Sequence, residues 1–64
     1  MDIQIINHGS IVQLLPLTDA GQAFLRDDLE SESWQWMGNT LCVEPRQIAG
    51  ICNWAREWAG IDIQ

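Results

Sequence analysis

Apolar residues form two short runs near the start of the chain, separated by the polar sequence Asn-His-Gly-Ser. The runs span residues 3–6 and 11–15 and are rich in β-branched side chains. Such runs predict two strands, and Gly9 between them can adopt the positive φ that a tight turn requires. The second run is apolar on both faces, which predicts a central strand covered on both sides. Together the two runs predict a β-hairpin that ends at Pro16.

The spacing of apolar residues then changes to a helical period. Thr18 suits the N-cap of a helix, and Asp19 follows in the first turn, where the helix dipole favours a carboxylate. At 100° per residue, the apolar side chains between about residues 19 and 29 share one broad face. Gly21 lies near the centre of that face. We therefore predict a helix that approaches the sheet closely at Gly21.

A second alternating pattern begins at the tryptophans. Trp34 and Trp36 flank Gln35, a turn follows at Gly38, and residues 41–43 alternate again. Two short strands joined by a tight turn explain this pattern. The segment therefore predicts a second hairpin, in which both tryptophans pack on the sheet.

The last long segment is the clearest helix, from about residue 45 to 59. Pro45 fits its first turn and Gly60 fits the position just after its end. Trp58 lies at the edge of the apolar stripe. Trp54 lies roughly 100° from the centre of that stripe, so it is the tryptophan least needed by the core. The stripe itself consists of Ile48, Ile51, Cys52, Ala55 and Ala59.

The order of these elements predicts the fold. Hairpin, helix, hairpin and helix (ββαββα) give an α+β domain over residues 1–64, with a four-stranded antiparallel sheet packed by two helices. Residues 61–64 (IDIQ) are either a tail or a short added strand.

The charge of the chain restricts its partners. Nine acidic residues and three arginines give a net charge of −6. Nucleic-acid binding needs grouped basic residues, and the arginines are scattered, so we expect no direct nucleic-acid binding. No apolar run approaches the roughly 20 residues that span a bilayer, so we expect no membrane contact. The first residues do not resemble a secretory signal, which favours a cytoplasmic location.

The residue types that carry chemistry are few. Cys42 and Cys52 are separated by nine residues, which is not a zinc-ligand spacing, and His8 alone cannot complete a metal site. His8 and Cys42 fall on a turn and in mid-strand, where nothing is placed to lower a thiol pKa. Reduced, partly buried cysteines are the simpler interpretation. We expect no cofactor, no metal and no enzymatic activity.

The most acidic segment lies after the first helix. We call Asp27, Asp28, Glu30 and Glu32, which fall within six positions, the acidic segment. It is either a solvated helix end and loop or a surface for a basic partner. As candidate partner-binding residues we take the acidic segment and Trp54.

Two stretches carry a family resemblance. INHGSIVQLLPLT and WQWMGNTLCVEPRQIAGI resemble the signatures of small proteins common in phages and prophages of proteobacteria. The resemblance covers about half the chain and implies a phage or mobile-element origin, with no catalytic residue to transfer. Small acidic proteins of this type often resemble inhibitors of host defence, including anti-CRISPR proteins. This implies binding to a host protein or nucleoprotein complex with a basic surface, in the cytoplasm of the host bacterial cell.

Mimicry of DNA is one form of this hypothesis. A chain of this length spans roughly 28 Å, and duplex DNA would carry about 16 charges over that distance. A net charge of −6 is small by comparison, so either the protein forms a homodimer or the contact is a local acidic patch beside an apolar anchor. The alternative is a phage structural or regulatory accessory protein that acts by protein–protein association or self-assembly. A DNA-binding regulator ranks last.

Overall fold

A computed structural model describes residues 1–29 and 35–64 and contains a four-stranded antiparallel sheet. The strand bounds are Ile3–Asn7 (β1), Val12–Pro16 (β2), Trp36–Met37 (β3) and Thr40–Val43 (β4). The strands occur in the order β1-β2-β4-β3, so β2 and β4 are central. Both predicted hairpins are present, and Gly9 has the positive φ expected of it, at 84°. Trp34, predicted for β3, lies outside the described residues.

Two helical segments complete the predicted α+β architecture. Helix α1 covers Asp19–Ala23 and continues as a π-helical turn, Phe24–Asp28. A 3₁₀ turn at Pro45–Gln47 leads into α2, Ile48–Trp54, which continues as a second π-helical turn, Ala55–Ala59. None of the helices in the described ranges is long and apolar enough to cross a membrane.

The caps show why these helices begin where they do. The predicted N-cap of α1 is confirmed, because the Gly21 N–H donates to Thr18 Oγ1 at 3.1 Å. Before the second helical segment, Glu44 and Gln47 exchange side-chain-to-backbone hydrogen bonds in a capping box. Pro45 occupies the first turn, where its missing N–H leaves no helical hydrogen bond unmade.

One contiguous core lies between the helices and one face of the sheet. The register places Leu14 between Ile5 on β1 and Leu41 on β4, and residues directly opposite each other share a face. Phe24 and Leu25 from the first helical segment and Cys52 and Ala55 from the second cover this face. The largest fully buried side chains are Phe24, Ile3, Leu14, Leu25, Leu41 and Ile63.

The prediction that β2 is covered on both sides is wrong. The strand is central, but within the described residues only the face with Val12 and Leu14 is buried. Leu15, on the other face, is only half-buried, and Ile11 is exposed. The other face of the sheet is mixed in character, because Gln4 lies opposite Leu15 and Gln13 lies between Ile6 and Cys42.

Residues 61–64 are not a free tail: they pair with β1 through one isolated parallel β-bridge, and we call them the added strand. Ile63 pairs with Ile3 in parallel at the outer edge of β1. The Ile5 N–H donates to the Gln64 carbonyl at 2.7 Å, and the Gln64 N–H donates to the Ile3 carbonyl at 3.1 Å. Gly60, with a φ of 65°, ends the preceding helix as predicted and turns the chain back toward the sheet.

Candidate partner-binding surface

The first two residues of the acidic segment lie at the end of the first helical segment. Asp27 and Asp28 belong to the π-helical turn, and both side chains are exposed. No ion pair within residues 1–29 and 35–64 reaches either carboxylate. The other two residues, Glu30 and Glu32, lie outside the described part of the chain. Asp27 and Asp28 therefore present their charges to solvent.

Each of the three arginines is engaged by a group of the chain itself. The Arg26 guanidinium lies over the Trp36 ring, 4.5 Å from its centroid. Arg46 pairs with Glu44 at 2.6 Å, an exposed contact whose stabilising effect is small. Arg56 Nη2 donates to the carbonyl of Ile63 at 2.8 Å.

This arrangement has an electrostatic consequence. The Arg56 hydrogen bond links the second helical segment to the added strand. The guanidinium group of Arg26 contacts the Trp36 ring, and that of Arg46 contacts the Glu44 carboxylate. Each guanidinium group thus has a contact within the chain, with Arg46 still exposed, whereas neither Asp27 nor Asp28 has an ion pair with a described cation. The outer surface is acidic, as a net charge of −6 requires.

Two tryptophans line an open cleft on the outer side of the second helical segment. Trp54 is 47% exposed and Trp58 is 83% exposed. The cleft has a volume of about 480 Å³, within the range of ligand pockets, but it is open to solvent along its outer side. Such a shape suits a side chain presented by a partner rather than an enclosed small molecule. We call it the tryptophan cleft; its lining residues are Gly50, Asn53, Trp54, Glu57 and Trp58.

The prediction for Trp58 is corrected by the local geometry. The sequence placed Trp58 at the edge of the buried stripe and made Trp54 the most available tryptophan, but Trp58 is the more exposed of the two. The reason is the π-helical turn at Ala55–Ala59. A π turn contains more residues than an α turn, so each residue advances by less than 100° around the axis. Trp58 therefore points away from the apolar stripe and lies on the same side of the helix as Trp54.

Trp54 also borders a groove that reaches the first helical segment. Leu29, which follows Asp28 directly, lines this groove together with Trp54 and Ile51. The groove thus brings Trp54 close to Leu29, the residue that follows the two described members of the acidic segment. The sequence contained no signal for this proximity, since Asp28 and Trp54 are 26 positions apart (54 − 28 = 26).

The groups with catalytic or metal-binding chemistry are dispersed. His8 Nε2 is hydrogen-bonded to Gln13 Oε1 at 2.8 Å, so its ring is held by an amide rather than a thiol. Both cysteines are free, Cys42 half-buried and Cys52 buried. In the ranges that the structure covers, no three His, Cys, Asp or Glu side chains gather where they could hold a metal ion.

Comparison with known proteins adds no relative. No family model matches the chain, and neither a curated protein nor a solved structure is significantly similar to it.

Proposed function

We propose that this protein acts by binding, without catalysis, and that its partner is a host protein or nucleoprotein complex with a basic surface. The observation that carries the proposal is that the positively charged side chains have contacts within the chain, whereas two exposed carboxylates have no described cation beside them. All three guanidinium groups have partners within the chain, whereas the exposed carboxylates of Asp27 and Asp28 have no cation among the described residues. A surface of this kind attracts basic partners and repels nucleic acid.

In its most specific form, the proposal is inhibition of host defence by a phage-type, anti-CRISPR-like protein. A protein that covers a basic, nucleic-acid-binding surface prevents that surface from binding nucleic acid. The acidic segment supports this mechanism because it is compact and solvent-facing where it is described. The resemblance of the two sequence stretches to phage and prophage proteins supports the same origin, and we propose that the protein acts in the cytoplasm of the host bacterial cell.

The size of the molecule favours a local patch over mimicry of a DNA duplex. The longest extent is 27 Å, over which duplex DNA carries about 16 charges. The whole chain carries a net charge of −6. A contact in which a few carboxylates act beside an aromatic anchor fits this charge better, and Trp54 shares a groove with Leu29, the residue that follows Asp28.

The test is affinity capture from a bacterial host lysate followed by a binding assay. Wild type is compared with a variant in which Asp27 and Asp28 become Asn and Glu30 and Glu32 become Gln. We expect wild type to capture a nucleic-acid-handling complex and to abolish that complex's binding of labelled DNA or RNA. The amide variant should do neither.

Two results would contradict the proposal. Equal capture by the amide variant would show that the acidic segment is not the contact. A captured complex that still binds nucleic acid would show that the protein does not block that surface.

The second candidate is a phage accessory protein that works by self-association or by joining a phage partner. The exposure of Trp54 and Trp58 favours it, because exposed aromatic residues are typical anchors of protein interfaces. Here the acidic surface serves only solubility. Sedimentation equilibrium tests the self-association form of this candidate: a dimer that Trp58→Ala dissociates supports it, and a monomer at all concentrations contradicts it.

A further inference from the structure

The tryptophan cleft is built from one side of a helix. Its lining residues recur at positions 50, 53, 54, 57 and 58, a spacing that keeps side chains on one face. Gly50 has no side chain, and nothing lies within 4 Å of where its Cβ would be. The space next to Trp54 is therefore free at that end, and the exposed surface of both indoles can accept a flat group.

The charge at the rim of the cleft is negative. Glu57 lies between the two tryptophans along the chain and its side chain is exposed. Arg56 is the adjacent residue, but its guanidinium is held at the Ile63 carbonyl. Two aromatic faces with a carboxylate and no described cation form the surroundings that favour a cationic ligand.

The chain itself contains an example of this recognition. Arg26 lies over Trp36 with its guanidinium carbon 4.5 Å from the ring centroid. The guanidinium is planar and weakly hydrated, so it stacks on an indole while its N–H groups remain available to a carboxylate. An ammonium group is compact and strongly hydrated and gains less from the same surface.

From these observations we infer that the tryptophan cleft binds an arginine side chain of the partner protein, with the guanidinium against Trp54 and Trp58 and its N–H groups donating to Glu57. The inference rests on the proposed function, because it names the group of a basic partner that enters this cleft. It adds a second contact, separate from the acidic segment, and assigns a role to Trp58 and Glu57.

The test uses isotope-labelled protein and short capped peptides. The indole N–H signals of Trp54 and Trp58, assigned with Trp→Phe variants, are followed by NMR during titration with acetyl-Gly-Arg-Gly-amide. The control peptide carries citrulline, which keeps the shape of arginine but replaces the charged guanidinium by a neutral urea. We expect saturable shifts of both indole signals with the arginine peptide and none with the citrulline peptide.

Two variants and a matched control define the site. Glu57→Gln should weaken binding of the arginine peptide about two- to fivefold, the effect of one exposed ion pair. Trp58→Ala should weaken it by a similar factor through loss of a cation–π contact. Glu44→Gln, which also removes an exposed glutamate, should leave the affinity unchanged. Trp58 is mostly solvent-exposed, so its replacement should leave the thermal unfolding midpoint nearly unaltered.

Other outcomes overturn the inference. Equal shifts with the citrulline peptide would show that charge is not recognised. Unchanged affinity in both Glu57→Gln and Trp58→Ala would place binding elsewhere. Indole shifts that follow protein concentration without peptide would identify a second copy of the chain as the occupant.

The peptide titration and the capture experiment fail independently. If the host complex is captured through the acidic segment but the arginine peptide does not bind, the proposed function stands and the cleft has no such role. If the peptide binds but no host complex is captured, the cleft recognises arginine and the proposed function is wrong.

Discussion

At the scale of single residues, Asp2 joins three parts of the chain. Thr18 Oγ1 donates to Asp2 Oδ1 at 2.6 Å, and the Asp62 N–H donates to Asp2 Oδ2 at 3.0 Å. These hydrogen bonds, first that from Thr18 and then that from the Asp62 backbone, lower the pKa of the Asp2 carboxyl below its ordinary value. The start of β1, the N-cap of α1 and the added strand therefore share one carboxylate.

The lowered pKa of Asp2 predicts a pH dependence of stability. The ionised carboxylate stabilises the fold fully above the pKa that Asp2 has in the unfolded chain. This contribution is lost as the pH falls through the lower pKa of the folded state. Urea unfolding of wild type and Asp2→Asn across acidic pH should show a stability difference at neutral pH that shrinks in strong acid. A difference that stays constant with pH would contradict the role of the carboxylate; Asp27→Asn, at an exposed carboxylate without an ion pair to a described cation, is the control.

Gly21 predicts a substitution whose effect opposes helix propensity. A Cβ at Gly21 would overlap the Asp2 carbonyl oxygen and lie 3.1 Å from Ile3 Cγ1. Both contacts belong to the start of β1, which explains the close approach predicted from sequence. Gly21→Ala should therefore destabilise the protein by about 1–3 kcal/mol in urea unfolding.

Gly50 is the matched control for this prediction. It is also a helical glycine, but nothing lies within 4 Å of its Cβ position. Gly50→Ala should stabilise the protein by about 0.5–1 kcal/mol, because alanine is the better helix former. If the two substitutions changed stability in the same direction, the close approach at Gly21 would not be the cause.

At the scale of elements, the added strand of residues 61–64 contributes more to the stability of the fold than its length indicates. It hydrogen-bonds along β1 and places Ile61 and Ile63 in the core. It is also held by Arg56 from the side. The strand covers the first part of the outer edge of β1, whose N–H and carbonyl groups would otherwise be unpaired.

The contribution of this strand to the free energy of unfolding can be measured with one substitution. Ile63 is 0% exposed, so Ile63→Ala should destabilise the fold by about 2–5 kcal/mol. Because a core of this size rarely supplies more than about 3–5 kcal/mol, circular dichroism should show a largely unfolded protein. Ile11→Ala, at a residue 49% exposed, should cost less than about 1 kcal/mol. Similar losses for both would mean that the strand does not pack as described.

Local signals made the elements predictable. The two hairpins, the Thr18 N-cap and the Gly60 helix end depend on residues close in sequence, and the structure confirms them. The strand at residues 61–64 could not be decided because its partner, β1, lies about 60 positions away. Trp58 was misplaced because a helical wheel assumes a uniform 100° per residue, and the π-helical turn departs from it.

The candidate site was less predictable than the fold. Exposure of Asp27 follows from its position at a helix end, which sequence can indicate. The helical period places Asp28 on the apolar side, so the sequence leaves its exposure undecided. The proximity of Leu29 to Trp54 depends on how the two helical segments pack, and so does the coverage of β2 on one face only. Packing of this kind is decided by contacts between segments that are distant in sequence. An apolar pattern predicts which face of an element is buried, but it does not predict which other element covers that face.

At the scale of the whole molecule, the protein is small and acidic, and two exposed tryptophans, Trp54 and Trp58, lie on its surface. The principal extents are 27 × 21 × 19 Å, so an interface of standard size, about 800 Å² per partner, would cover a substantial part of its 4151 Å² of surface. The acidic segment and the tryptophan cleft can then belong to a single interface, since Trp54 borders both the cleft and the groove lined by Leu29.

The central claim, that the acidic segment binds a basic partner, is tested most directly by the salt dependence of affinity for the captured complex. For wild type, affinity should fall steeply as ionic strength rises, because exposed charges are screened. Asp27→Asn/Asp28→Asn should bind more weakly and with a shallower salt dependence. Asp19→Asn/Glu44→Gln, which removes the same number of exposed charges elsewhere, should follow wild type. An affinity that is independent of salt, or identical salt slopes for wild type and Asp27→Asn/Asp28→Asn, would contradict the claim.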